Sequence, residues 1–177
     1  ASEPLPSVLG TSEPRANAAD LKTTGFDFQL SWKQRVQDLS LGLTFILSDY
    51  ISEITKFDNP KGLISTHYVG KRIGDIWGFV TEGLFQTDEE AAAWNQKQII
   101  GRTMQAGDIK FADLDGDGKI TRGSSTLDNP GDRKIIGNNT PRYSFGFKPN
   151  ASWKGFDLDV FLQGVMKRDQ WISTRYF

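Results

Sequence analysis

From Phe26 the sequence alternates apolar and polar residues with a period of two. Phe26, Phe28, Leu30 and Trp32 stand against Asp27, Gln29, Ser31 and Lys33. After Gln34-Arg35-Val36-Gln37 the pattern resumes, with Leu39, Leu41, Leu43, Phe45 and Leu47 against Ser40, Gly42, Thr44 and Ser48. Side chains of a strand point alternately to its two faces, so each run predicts a strand with one apolar and one polar face, and the short interval predicts an antiparallel hairpin turning at 34–37. The pattern returns near the end of the chain. Tyr143, Phe145 and Phe147 alternate with Ser144, Gly146 and Lys148; after Ser152-Trp153-Lys154-Gly155, Phe156, Leu158, Val160 and Leu162 alternate with Asp157, Asp159, Phe161 and Gln163. Ser-Trp-Lys occurs at 31–33 and again at 152–154, a repeated hairpin grammar. Pro149 has no N–H to give to a ladder and predicts a bulge or an edge.

A mainly β chain follows, and two architectures suit it. One is a soluble sandwich with an apolar face on its core, which as a secreted module with a structural metal could stack sugar rings on Trp77 or Trp94. The other is a membrane barrel whose strands are apolar toward lipid and polar toward the lumen. Twelve Phe, five Trp and four Tyr with eighteen Gly fit short strands and tight turns in either case. The 21 basic residues balance 22 acidic ones, so no nucleic-acid partner is implied. Cysteine is absent, which excludes disulfides and thiolate metal sites. The chain opens on no signal-peptide pattern and holds no apolar run long enough for a transmembrane helix, so a membrane role would have to come from strands. Residues 1–24 carry three prolines and few large apolar groups and read as an extended segment; 25–57 and 141–177 read as the two hairpins.

The segment between them, 58–140, is of another kind. Gly70–Phe79 reads as irregular strands. Thr87 with Glu90 three residues on is a capping box, Asp88 and Glu89 suit a helix N-terminus, and the alanines that follow predict a helix over 88–97. Beyond it lies Asp113-Leu114-Asp115-Gly116-Asp117-Gly118-Lys119-Ile120. Carboxylates at alternate positions followed by glycine are how a short loop wraps calcium, a hard cation that takes oxygen ligands in a flexible shell. Asp113, Asp115 and Asp117 would supply carboxylates and Lys119 its backbone carbonyl. Gly118 would make the sharp turn, and Ile120 would pin the loop to a core. The twelfth position is Ser124, where such loops place a bidentate glutamate, so the closing ligand must be Asp128 or Asp132. Asp132 is favoured because Asn129-Pro130-Gly131 can fold the chain back. No helix signal follows, which predicts a loop held rigid rather than a sensor that opens.

No catalytic constellation is present. The single histidine, His67, has neither nucleophile nor metal-ligand spacing around it.

Glu82-Gly83-Leu84-Phe85-Gln86-Thr87-Asp88-Glu89-Glu90-Ala91, then Gly107-Asp108-Ile109-Lys110-Phe111 into the Asp-rich loop, Asp132-Arg133-Lys134-Ile135-Ile136-Gly137-Asn138, Thr140-Pro141-Arg142-Tyr143 and Gly155-Phe156-Asp157-Leu158 resemble, in order and spacing, the SusC/RagA family of TonB-dependent outer-membrane receptors. The resemblance implies part of a plugged barrel of about 22 strands in the outer membrane of Bacteroidetes. Such a receptor imports glycans or peptides with a SusD-like surface lipoprotein as lid and is powered by the TonB complex through parts missing from these residues. The family's Asp-rich loop maps onto Asp113, Asp115 and Asp117. The turns at 34–37 and 154–155 would face the periplasm, and 58–140 would form an extracellular α+β lobe. The strand over 38–57 would then exceed the 9 to 11 residues a membrane requires and project above the bilayer.

Overall fold

The computed structural model describes residues 19–94, 101 and 103–172; positions 1–18 of the expected extended segment and 95–97 of the expected helix lie outside the described residues. The described residues divide into two compact units, 23–52 with 138–172, and 19–22 with 53–137.

The first unit is an open antiparallel sheet. Strand β1 (Ala19–Val36) pairs with β2 (Leu39–Phe57), β2 with β7 (Arg142–Trp153), and β7 with both β8 (Phe156–Asp159) and β9 (Leu162–Lys167). The alternation in the sequence thus gives four successive strands, as it predicts. Three details differ. β1 begins at Ala19, inside the stretch read as extended; Thr23 there hydrogen-bonds Ser52 across the pair at 2.8 Å, so backbone pairing orders residues that have little to bury. The first turn is Gln37-Asp38 rather than 34–37, because Lys33 to Val36 stay in the strand. The third concerns Pro149, which produces neither a bulge nor an edge. The register runs unbroken from Asn150↔Asp159 to Phe147↔Leu162, and only the ladder lapses across Val160-Phe161, splitting one strand into β8 and β9. Val160 N–H still donates to Pro149 O at 3.1 Å. The second turn, Lys154-Gly155, is where the sequence puts it, with both residues left-handed (φ 47° and 88°), the two-residue geometry whose twist suits a hairpin.

Register sorts the side chains. Leu39, Leu41, Leu43, Phe45 and Leu47 oppose Trp153, Ala151, Pro149, Phe147 and Phe145, and these in turn flank Phe156, Leu158 and Leu162. That face carries no charge from Leu39 to Leu47. The other face carries Ser31 bonded to Thr44 at 3.2 Å, Ser152 donating to Asp157, and Lys148 at 3.9 Å from Asp159. Phe156, Leu158 and Leu162 remain 76%, 61% and 55% exposed on the apolar face, so this sheet is not the buried half of a sandwich.

The second unit is a small α+β lobe. Strand β3 (Asp75–Phe79) pairs with β6 (Arg133–Asn138), and β4 (Thr81–Leu84) with β5 (Ile109–Phe111). Helix α1 (Asp88–Ala93) starts where its cap places it, with Thr87 Oγ1 accepting Glu90 N–H at 3.2 Å and Glu90 Oε2 accepting Gln86 N–H at 2.9 Å, but it stops at Ala93, short of the expected 97, because Trp94 is already extended (φ −87°, ψ 115°). Phe85, Ala91 and Met104 are buried together beneath it, with Trp94 packed alongside. Trp94 donates its Nε1–H to Phe111 O at 3.0 Å and lies under Lys110 Nζ; Trp77 donates to Tyr68 Oη at 3.0 Å. Both indoles are half-buried and hold their N–H partners within the lobe. Burial pushes the Tyr68 phenol up.

Thr87→Ala should weaken this lobe by about 1 kcal/mol, the usual value of a lost N-cap, read as faster amide exchange at Glu90. The Glu90 carboxyl is held below its ordinary value by the Gln86 N–H and by Lys110. Its contribution is therefore present above the ordinary carboxylate range and fades as pH falls through the lowered value.

Candidate metal centre

The Asp-rich loop leaves β5 and returns to β6, and each of its features has a local cause. Asp113 Oδ1 accepts Gly116 N–H at 2.7 Å and its Oδ2 accepts Gly118 N–H at 2.8 Å, winding the chain around the first carboxylate. Asp115 Oδ1 accepts from Asp117 N–H at 3.2 Å, and Asp117 Oδ1 from Lys119 N–H at 2.8 Å. Gly118 has φ 75°, the left-handed conformation that the sixth position of such a loop demands and that side chains with a Cβ resist. Ile120 is 1% exposed, the anchor its position predicts.

The result is a cluster in which one carboxylate oxygen from each of Asp113, Asp115 and Asp117 lies within 4.8 Å of the others. Calcium holds its oxygens at about 2.3 to 2.6 Å, so donors this far apart fit around a single ion. The electrostatics point the same way. The Gly118 N–H holds the Asp113 carboxyl below its ordinary value. Asp115 is pushed up: the Asp117 N–H favours its charge, but partial desolvation and the carboxylates of Asp117, Asp132 and Asp113 outweigh it. A cation would relieve that repulsion.

Asp132 is not among the three that converge, but its charge reaches Asp115. It is wholly buried, and its two oxygens accept Leu114 N–H at 2.7 Å and Thr121 N–H at 2.6 Å, the second and ninth residues of the loop. It clasps both ends of the loop, and each oxygen keeps a second lone pair. The fold-back expected of Asn129-Pro130-Gly131 is what brings it there: Gly131 N–H donates to Asn129 Oδ1, and Asp132 N–H to Thr121 O at 3.1 Å. At Gly131 an added Cβ would lie 2.4 Å from Gly123 N and 2.6 Å from Thr121 O, so only glycine lets the two arms touch. Asp128 is exposed, and Ser124 bonds Thr126 and Asn129 instead. Lys119 is exposed, as a residue offering only its carbonyl can be. No helix follows the loop among the described residues.

Sequence reasoning passed over Arg133, whose guanidinium donates to Pro130 O, Arg122 O and Ser125 Oγ and so binds the returning arm. Burial pulls its pKa down. The ring of His67 meets Phe57 edge-on at 5.4 Å on the surface.

No known family profile matches the chain. The TonB-dependent receptor P3 of Formosa agariphila is 28% identical over 176 residues, covering 90% of this chain and 16% of the relative. The chain is related to TonB-dependent receptors. Receptor P39 of the same organism is 24% identical over 187 residues, covering 86% of this chain and 17% of its own length. The resemblance read from the motifs is borne out at the level of TonB-dependent receptors, and the chain spans about a sixth of the length of the curated relatives it matches. Both relatives are named as receptors and not as enzymes, in line with a sequence that offers no catalytic constellation.

Proposed function

We propose that this chain is part of the barrel of a TonB-dependent importer of the SusC/RagA type, in the outer membrane of a Bacteroidetes-like bacterium. The observation that carries the reading is the sheet itself: four consecutive antiparallel strands with one uncharged apolar face left open and one polar face, in a chain similar to TonB-dependent receptors over most of its length. Strands of this kind are stable in hydrocarbon only when a barrel closes their edges, and the remaining strands would come from the rest of the receptor. The apolar face meets lipid, and Ser31, Thr44, Lys148 and Asp159 face the lumen. Residues 58–140 connect the ends of β2 and β7 away from the two-residue turns, so with those turns in the periplasm the lobe is extracellular. There it would meet a SusD-like lipoprotein and the glycan or peptide cargo, while coupling to the TonB complex belongs to other parts of the receptor. The test is uptake by cells expressing the whole receptor: labelled oligosaccharides or oligopeptides should accumulate only when TonB is intact. A receptor recovered in the soluble fraction would defeat the proposal.

Within that lobe, Asp113, Asp115 and Asp117 bind calcium together with the Lys119 carbonyl, and Asp132 closes the shell through its free lone pairs while clasping the loop. Asp117→Ala should abolish calcium binding measured by calorimetry on the purified receptor; unchanged affinity would sink the assignment. Ligands bind deprotonated, so affinity should fall as pH drops through the raised Asp115 value, earlier than ordinary carboxylates alone would give.

A further inference from the structure

The apolar face ends at one level on all four strands. On β2 the run from Leu39 to Leu47 stops at Asp49, which has the same parity and is the first charged residue on that face. Across β7 the corresponding run from Trp153 stops at Phe145, followed by Tyr143 and Arg142. The bonds of Thr23 to Ser52 and Ser31 to Thr44 set Phe26 opposite Asp49, so the β1 run stops at the same height, with Thr24 beyond it. On β9, Gly164 lies opposite Phe145, and the run closes with Met166 before Arg168. At the other end the face stops at the two turns.

The level at Asp49 is built to hold charge beside hydrocarbon. Arg142 donates through Nε and Nη2 to the two Asp49 oxygens, both at 2.5 Å, and Tyr143 N–H adds a third bond at 3.2 Å. Asp49 is 9% exposed, and the guanidinium lies 5.1 Å from the Tyr143 ring, whose residue takes a left-handed φ of 54°. A bidentate pair backed by an N–H neutralises both charges, and a tyrosine beside it matches the aromatic belt at a membrane edge. The height agrees. Ten steps from Leu39 to Asp49 at about 3.3 Å each, tilted by about 40°, rise about 25 Å, the height of the apolar band of an outer-membrane barrel.

We infer that lipid acyl chains cover this face from the two turns up to the level of Asp49 and Tyr143, and that the Asp49–Arg142 pair marks the extracellular boundary of the hydrocarbon. This rests on the barrel reading and adds the depth at which the strands sit. Residues 50–52 of β2 stand in the headgroup layer.

The 177 residues contain no cysteine, so single cysteines can carry nitroxide labels in the whole receptor, once any elsewhere are replaced. Labels at Leu43, Leu47, Ile51 and Thr24, in receptor reconstituted into phosphatidylcholine bilayers, are read by power saturation with oxygen, which enters hydrocarbon, and with a nickel chelate, which stays in water. The ratio of oxygen to nickel accessibility should be highest at Leu43, lower at Leu47, and inverted at Ile51 and Thr24. Should Leu43→Cys fail to assemble, Leu162→Cys on the edge strand beyond β7, level with Phe147 and Phe45, supplies the mid-band reading. Oxygen-dominated labels at Ile51 and Thr24 would overturn the boundary while leaving the barrel intact. Nickel-dominated labels at all positions would overturn the barrel as well. Labels at Leu43 and Leu47 shielded from both reagents would mean that protein, such as a second copy, covers the face, and would overturn the lipid assignment.

Discussion

Asp132→Ala is expected to release the Asp-rich loop. The substitution leaves the N–H groups of Leu114 and Thr121 without the acceptors that the buried Asp132 carboxylate gives them. Each orphaned donor costs about 1 to 3 kcal/mol, so the loop should open more easily by about 2 to 6 kcal/mol, a large share of what holds a small lobe together. Amide exchange at Leu114 and Thr121 in the purified receptor reads this directly. Asp132→Asn keeps the shape but turns an NH₂ toward one of the two N–H donors, so it should lose most of the same protection. Exposed Asp128→Asn should leave exchange unchanged. In a calcium titration Asp132→Asn should weaken binding more than Asp128→Asn does, through the lost clasp and the lost carboxylate charge together, and the reverse order moves the closing ligand to Asp128. Native exchange rates in Asp132→Ala would remove the clasp itself.

The second large effect concerns the 177 residues alone. Among the described residues β1 and the β8/β9 strand are open edges, and Phe26, Phe28, Leu30, Phe156, Leu158 and Leu162 are exposed on one face. Edges present unpaired N–H and C=O groups, and an apolar face of this extent drives association in water. The purified chain in detergent-free buffer should therefore run as oligomers or aggregates by light scattering, with no monomer surviving, and detergent should disperse them. A stable monodisperse monomer would overturn the barrel assignment of the sheet.

The strands were legible because their pattern has the one period that a two-faced sheet imposes, and it needs no knowledge of neighbours. Register was less so. That Lys33 to Val36 belong to β1 follows from pairing with β2, and polar residues do not announce whether they turn or pair. The straight passage through Pro149 depends on strands on both sides holding the register, which no local rule about proline contains. In the loop, the spacing of Asp113, Asp115 and Asp117 and the anchor at Ile120 are local and were readable. The clasp of Asp132 was half readable: the Asn-Pro-Gly turn said that it returns, but not that its oxygens meet Leu114 and Thr121 N–H. Asp49 and Arg142, 93 positions apart, were missed. The one available signal was a carboxylate continuing the parity of five apolar residues.

β2 and β7 are neighbours in the sheet, yet roughly 80 residues separate them in sequence. Closing a flexible connection of that length costs about 3 kcal/mol more than closing a two-residue turn, at about 0.6 kcal/mol per doubling. The two hairpins can each zip through a local turn within microseconds, whereas their joining has no such help. A lobe that folds early shortens the effective connection and lowers that cost. Assembly then acquires an order: two hairpins and the lobe form first, and the β2–β7 seam closes last. Damage to the lobe would accordingly surface as slow insertion and prolonged exposure to chaperones and proteases, in a barrel whose finished strands are themselves sound.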